Sequence, residues 1–387
     1  LLDLKLGVPS ETVEGERRVA LTPDGVKTLR SKGFEVMIET GAGARAGFAD
    51  EAYQQAGAEI VSADRVYEDA DLVLKVQGPQ DGSPSSEVNR LRPGAMIVSF
   101  LFPTTNLETT RQLAARNVTA FAMDLVPRIT RAQSMDALSS MSTVAGYQAA
   151  LIAASLLPRF FPMLTTAAGT IPPAKVLVIG AGVAGLQAIA VCKRLGAIVE
   201  AFDVRAAVKE QVESLGARFV SMPHLTEDAE DASGYAKEVS SDTHVKELEL
   251  IASRLPKNDV VITTALIPGK PAPVLITREM VKLMSPGSVI VDLAAPNGGN
   301  CEATVPGQTV LVDGVQIAGP TDILSTMASD ASRMYSRNLV EFLSLLAPQG
   351  TLKLDMEDQI LRDTLVTHEG KVVHEPTRLA LERQATV

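Results

Sequence analysis

Tryptophan is absent from this chain, and the other aromatic residues are scarce: 5 tyrosines and 10 phenylalanines in 387 residues. A core without many large rings has to be assembled from alanine, valine, isoleucine and leucine, which suits the aliphatic strands of buried parallel sheets. Cysteine is nearly missing as well, Cys192 and Cys301 being the only two. That excludes a disulfide scaffold and fits a reducing compartment. The four histidines, His224, His244, His368 and His374, show no metal-ligand spacing, so no metal is expected. Basic charge is in deficit, with a formal net charge of −10. Nucleic acid needs a basic face and is excluded as a partner. Long apolar runs are lacking too. The one stretch that could pass for a membrane span, Val176 to Cys192, is interrupted by Gly180, Gly182 and Gly185. It also falls short of the ~20 residues a bilayer requires, and reads as strand, turn and helix. No signal-peptide pattern and no low-complexity tract is visible.

What is present points to layered α/β structure. The length predicts two domains, because single cores rarely grow past roughly 250–300 residues. Short aliphatic strands are expected at Lys5–Val8, Glu35–Ile38, Leu72–Val76, Met96–Phe100 and Thr119–Ala122, with helices between them. Thr22 and Pro23 mark one helix start, Thr22 as the cap and Pro23 at the first helical position. A proline-rich joint, Pro158 to Pro173, follows a long Ala- and Met-rich helix over Ser134–Leu157. A second series of strands then begins: Lys175–Ile179, Ile198–Phe202, Arg218–Ser221, Asp259–Thr263 and Ser288–Leu293. The segment Asp330–Leu346 reads as a helix returning to the first domain, since a helix of that length needs an apolar surface to cover. The expected fold is α/β: two Rossmann-like, doubly wound parallel-sheet domains separated by a cleft and joined by long helices. The first domain takes residues 1–136 and 325–387, and the second takes 137–324.

Gly180-Ala181-Gly182-Val183-Ala184-Gly185 follows the strand Lys175–Ile179 and opens a helix. In a G-x-G-x-x-G turn the first glycine makes the bend and the second admits a pyrophosphate. The third lets helix and strand pack closely, and the helix N-terminus attracts phosphate. The next strand ends in Asp203, eighteen residues past Gly185, where an acid accepts a ribose hydroxyl. A carboxylate there repels a 2′-phosphate, so NAD(H) is favoured over NADP(H). Arg205, two residues on, is of the type that binds that phosphate. A second glycine run, Gly41 to Gly47, has its last glycine one position late and no acid-ended strand after it. It reads as a turn, so one dinucleotide is expected on this chain.

The segment Pro127 to Ser140 is unusually polar for a joint between apolar layers. Gln133 and Asp136 are three apart, on one face if the segment is helical. Arg128 is placed to reach either that carboxylate or a substrate phosphate. The alternative is a salt bridge between the domains together with a helix cap.

This segment, with Ser142, Gly146 and Tyr147, resembles the nicotinamide-positioning loop in the NAD(H)-binding component of proton-translocating NAD(P) transhydrogenase. Other blocks resemble that family in the same order: Thr166–Gly169, Asp203–Arg205, Lys209–Val212, Gly234–Lys237, Thr263–Pro273, and Val289–Leu293 with Gly298–Asn300. The resemblance implies that Arg128, Ile129, Thr130, Arg131, Gln133, Asp136 and Ser139 hold the nicotinamide end, with Arg128, Gln133 and Asp136 nearest the chemistry. It implies that Gly180, Gly182, Val183, Ala184 and Gly185 carry the pyrophosphate. Asp203, Val204 and Arg205 take the adenosine ribose, and Gly234, Tyr235, Thr264, Ala265 and Leu266 line the pocket. The polar stretch His224–Asp242, with a glycine beside an aromatic ring, reads as a lid over the nucleotide. The implied activity is direct hydride transfer from NADH to NADP+ held on a separate domain, coupled to proton translocation. Its implied partners are NADP(H)-binding and transmembrane domains and a second copy of the chain. The chain would then be a soluble, peripheral part of a membrane complex, inactive alone.

Alanine dehydrogenase is similar to the same sequence and is the rival reading. Its substrate arginine and lysine match Arg18 and Lys75. Its histidine and aspartate fall where this chain has Phe102 and Pro296, which cannot take a substrate proton. Arg18 and Lys75 are then expected to serve in salt bridges or to stand as relics of shared ancestry.

Overall fold

The computed structural model describes residues 4–80, 86–222, 241–267 and 270–386. The chain divides into two compact units, one of Leu1–Met141 with Leu324–Val387 and the other of Ser142–Ile323. The helix Ala137–Leu156 carries the chain out of the first unit. The return is made by a turn, and the second long helix, Ala328–Leu346, lies wholly in the first unit.

The first unit is built on six parallel strands: β1 (Lys5–Val8), β2 (Glu35–Glu39), β3 (Glu59–Val61), β4 (Leu72–Leu74), β5 (Met96–Ser99) and β6 (Thr119–Ala122). Their order across the sheet is 3-2-1-4-5-6, the doubly wound arrangement in which the strand order reverses between the first and fourth strands. Beyond β6 the C-terminal segment adds two antiparallel strands, Leu365–His368 and Lys371–Val372. The strand expected to reach Val76 stops at Leu74. The Val76 amide donates to the Glu11 carboxylate at 2.6 Å instead of continuing the ladder.

The helix Ala328–Leu346 packs on this sheet through Tyr335, Leu339, Phe342, Leu343 and Leu346, all buried at helical spacing. Phe342 meets Phe121 edge-on with centroids 5.7 Å apart. Small hydroxyls let the same helix bond to the chain it covers: Ser332 accepts the Val19 amide at 2.9 Å and Ser336 the Thr22 amide at 3.1 Å. Thr22 does head the helix Pro23–Ser31, but its hydroxyl makes no capping bond. It turns to Ser336 at 3.3 Å, because the covering helix offers a partner where water is shut out.

The second unit has seven strands: β7 (Lys175–Ile179), β8 (Ile198–Phe202), β9 (Arg218–Phe219), β10 (Val260–Thr263), β11 (Val289–Asp292), β12 (Thr309–Val312) and β13 (Val315–Ala318). The order is 9-8-7-10-11-13-12, all parallel except the final β13–β12 pair. Alternate residues feed opposite faces, as period two requires. Val176, Val178, Val260 and Ile262 face one buried layer, and Leu177, Ile179, Val261 and Ile290 the other. Both faces are therefore covered. A small hairpin, Leu164–Thr166 with Gly169–Ile171, occupies the proline-rich joint.

Candidate functional site

The C-terminal ends of β8, β7 and β10 are neighbours in the second sheet, and each carries one predicted segment. After β7, Gly180 turns the chain at φ 93°, a conformation that favours glycine. A side chain there would meet Thr264 Oγ1 at 2.6 Å. A side chain at Gly185 would run into the carbonyl of Gly180, so the third glycine is demanded by helix-on-strand packing. Gly182 differs: a Cβ at that position would have nothing within 4 Å. Gly182 also stands at the N-cap of the 12-residue helix Val183–Arg194, and no side chain caps that end. The result is open space in front of amides that point outward, the arrangement a pyrophosphate fills. The residues present fit a dinucleotide.

At the end of β8, Asp203 is buried to 6% exposure. Its Oδ2 accepts the Ala181 amide at 2.7 Å, tying the acid to the glycine turn. Oδ1 accepts the Arg205 amide at 2.8 Å and Nε at 2.9 Å, and Oδ2 also accepts Nη2 at 2.8 Å. Across the strand reversal, after β10, Thr264 Oγ1 donates to the Gly180 carbonyl at 3.0 Å. Ala265 is gripped on both sides by one amide: its N–H donates to Asn300 Oδ1 at 3.0 Å, and Asn300 Nδ2 donates to its carbonyl at 2.9 Å. Leu266 follows with 40% of its surface exposed. Thus Gly180–Gly185, Asp203–Arg205 and Thr264–Leu266 are brought together. Gly234, Tyr235 and most of the expected lid lie outside the described residues.

Three organising residues were given no role from the sequence, although Asp292 and Asn300 fall inside blocks that resemble the family. Asn300 is one. Asp292, at the end of β11, is fully buried and accepts Thr263 Oγ1, Thr304 Oγ1 and the amides of Ala294 and Cys301. It knits the loops after β10 and β11 together. The third is Glu247 on the helix Ser241–Arg254, buried and 3.2 Å from His244 Nδ1. Burial pushes its carboxyl above the usual carboxylate range despite His244, and the charge of Asp203 adds to that push. Pro296 lies exposed in the short turn Ala295–Asn297 after β11.

In the first unit, the segment with Gln133 is not an α-helix. Thr130–Met135 is a 3-10 turn with Ala132 and Met135 buried. Gln133, Arg128, Thr130 and Arg131 are exposed, and Ile129 is half-buried. Asp136 does not share an open face with Gln133. Its carboxylate turns into the helix Ala137–Leu156, accepting the Ser139 amide at 2.9 Å and hydroxyl at 2.6 Å, as an N-cap does. Arg131 forms a two-pronged pair with Asp358 at 2.7 and 2.9 Å.

Arg18 and Lys75 are both buried and both paired. Lys75 Nζ lies 2.8 Å from Glu87 and 3.2 Å from Glu11. Burial opposes its charge, but the two carboxylates outweigh burial and hold it above the ordinary lysine value. Arg18 is bonded to Glu16 through Nε, Nη2 and its own amide. Phe102 sits at φ 44°, 44% exposed, with its ring stacked on Phe100 at 5.9 Å. Asp124 holds this strained turn by accepting the Leu101 and Phe102 amides at 2.7 and 3.0 Å. No cluster of metal-ligand type occurs among the described residues, and no described helix is long and apolar enough to cross a membrane.

Two family models together cover most of the chain. Residues 7–145 match the N-terminal domain of the alanine dehydrogenase/PNT family, and residues 149–375 match its C-terminal domain. The chain belongs to the alanine dehydrogenase/PNT family. Within it, the chain is 50% identical over 376 residues to the first part of the NAD(P) transhydrogenase alpha subunit of Rhodospirillum rubrum, covering 96% of this chain and 98% of that one. It is 46% identical to the corresponding protein of Rickettsia prowazekii, covering 96% of each. The alanine dehydrogenase of Bacillus subtilis stands further off, at 32% over 380 residues, 96% of this chain and 93% of that one. Among solved structures, the transhydrogenase of Sinorhizobium meliloti is similar at a TM-score of 0.86 and 45% identity, covering 95% of this chain and 100% of that chain.

Proposed function

We propose that this chain is the NAD(H)-binding component of a Re/Si-specific, proton-translocating NAD(P) transhydrogenase. The observation that carries this reading is the open, uncapped helix start at Gly182 beside the buried carboxylate of Asp203. The names of the nearer relatives support the rest. NADH bound here would supply the hydride, which passes to NADP+ on a separate NADP(H)-binding domain, coupled to proton movement through a transmembrane domain. In this scheme the chain works as a homodimer and as a peripheral part of a membrane complex, and no group of its own carries the hydride.

The roles of its residues follow from their surroundings. Gly180, Gly182, Val183, Ala184 and Gly185 offer amides and space to the pyrophosphate, and Asp203 to Arg205 read the adenosine ribose. Thr264, Ala265 and Leu266 form the opposite wall. Arg128 and Gln133, both exposed, hold the nicotinamide end together with Ser139 and with Asp136, whose carboxylate caps the following helix. Positioning of two rings at ~3–3.5 Å supplies much of the rate in such a transfer.

Alanine dehydrogenase is the second reading, favoured by the preserved Arg18 and Lys75. Phe102 and Pro296 oppose it, since neither moves a proton. Stopped-flow measurement on the isolated chain tests the proposal. NADH should bind, with no hydride reaching NADP+ until an NADP(H)-binding partner is added. Rapid transfer by the chain alone would defeat it.

A further inference from the structure

Gln133 stands on a six-residue 3-10 turn, Thr130–Met135. Such turns have poor hydrogen-bond geometry and rarely hold a fixed shape over that length. The restraint here comes from residues more than 200 positions away. Asn338, on the helix Ala328–Leu346, donates from Nδ2 to the Ser134 carbonyl at 2.8 Å, on one side of Gln133. Asp358 holds the Arg131 guanidinium at 2.7 and 2.9 Å on the other side. Both anchors are themselves stiff. Asn338 is 6% exposed. The Asp358 carboxylate also accepts the Ile360 amide at 2.8 Å, capping the helix Gln359–Thr364. Asn338 is kept at a cost, since its Oδ1 is buried with no partner among the described residues and an unpaired buried acceptor is unfavourable. Its other amide atom serves the turn.

We infer that Asn338 and Asp358 are positioning residues for Gln133, clamping the turn on either side so that Gln133 is presented in one geometry. The inference rests on the role proposed above for Gln133. Asn338 and Asp358 act through the turn and touch no reacting group.

Asn338→Ala and Asp358→Asn test it in the assembled enzyme, the second variant keeping an oxygen to cap Ile360. Amide hydrogen exchange over residues 129–136 should quicken in each. Single-turnover hydride transfer should slow by about tenfold or more, with the NADH dissociation constant unchanged within about twofold. Asp358→Glu should recover most of the lost rate. The double variant Gln133→Ala/Asn338→Ala should be no slower than Gln133→Ala alone, because residues acting through one group do not add. Losses that multiply in the double variant overturn the inference, as does quickened exchange with full transfer, or unchanged exchange. Should Asn338→Ala fail to fold, Asp358→Asn carries the same cycle. A Gln133→Ala enzyme that transfers normally would sink the role of Gln133, while the exchange data would still decide whether the clamp exists.

Discussion

Among the described residues, Arg205 makes three of the four hydrogen bonds that Asp203 accepts, the fourth coming from the Ala181 amide. A carboxylate offers about four lone-pair positions, so on the proposed reading a ribose hydroxyl would enter this site by displacing a bond from Arg205. The same pairing keeps the arginine turned toward the acid and away from a 2′-phosphate. On the function proposed above, this one residue pair sets the preference for NAD(H).

Asp203→Ala should therefore do two things at once. Loss of a charge-assisted bond of about 1.5–3 kcal/mol weakens NADH binding by roughly ten- to a hundredfold. NADPH binding should improve relative to NADH, because Arg205 no longer answers to that carboxylate. Titration of both nucleotides measures the ratio. An unchanged ratio would refute the pairing as the discriminator.

The glycines of the turn should separate cleanly into two kinds. Gly185→Ala places a methyl group against the Gly180 carbonyl and should lower the melting temperature by several degrees or prevent folding. Gly182→Ala meets nothing within 4 Å, at an ordinary φ of −74°. The fold should stay intact while NADH binding falls at least tenfold, the methyl standing where the phosphates approach. Calorimetry and titration on both variants decide it, and a Gly182→Ala protein with full affinity would remove the pyrophosphate from this turn.

Alanine with NAD+ should give no turnover above background. Phe102 is a hydrocarbon ring and Pro296 has no titratable group, so nothing at either position accepts the substrate proton. Steady production of NADH in that assay would move the chain to the dehydrogenase side of its family.

Acid should strip stability from the first unit through Glu16. Burial alone would raise its carboxyl, but the Arg18 guanidinium outweighs burial and brings it down to about 2 from 4.5. A group depressed on folding stabilises above its unfolded value and loses that contribution as pH falls through the folded one. The loss runs from about pH 4.5 to about pH 2 and is on the order of 3 kcal/mol. Denaturant unfolding across that range should show it, and Glu16→Gln should flatten it. A variant with the wild-type acid slope would exclude Glu16 as the source.

Much of this fold was legible because its strands are aliphatic runs buried on both faces. Lys5–Val8, Thr119–Ala122, Lys175–Ile179 and Ile198–Phe202 fall where the residues place them. The paired strands near the ends of each sheet were not read. Val312-Asp313-Gly314-Val315 and His368-Glu369-Gly370-Lys371 carry the signal, with left-handed pairs at Asp313–Gly314 and Glu369–Gly370, the two-residue turns that close hairpins. Short strands beside such turns carry little hydrophobic pattern of their own. The glycine turn and Asp203 were readable because their spacing is local. Asn300, Asp292 and Asn338 were not, since each acts through partners brought near only by the finished fold. Glu247, whose partner His244 is three residues away, stands out only once burial and the charge of Asp203 bear on it. The capping role of Asp136 was one of two readings of its segment, and only the trajectory of the chain after Met135 separates them.

The first unit is interrupted by the whole of the second, and its last strands join the sheet beside β6 only after residue 364. On a ribosome, the second unit has all of its strands in hand before the first has its covering helix or its final edge. Until then β6 presents an unpaired rim, the kind of surface that recruits other chains. The order of synthesis thus favours the nucleotide-fingerprint half maturing first. The half bearing Gln133 acquires its clamp last, so a chain cut short after residue 323 would keep the glycine turn and lose the geometry of the other end.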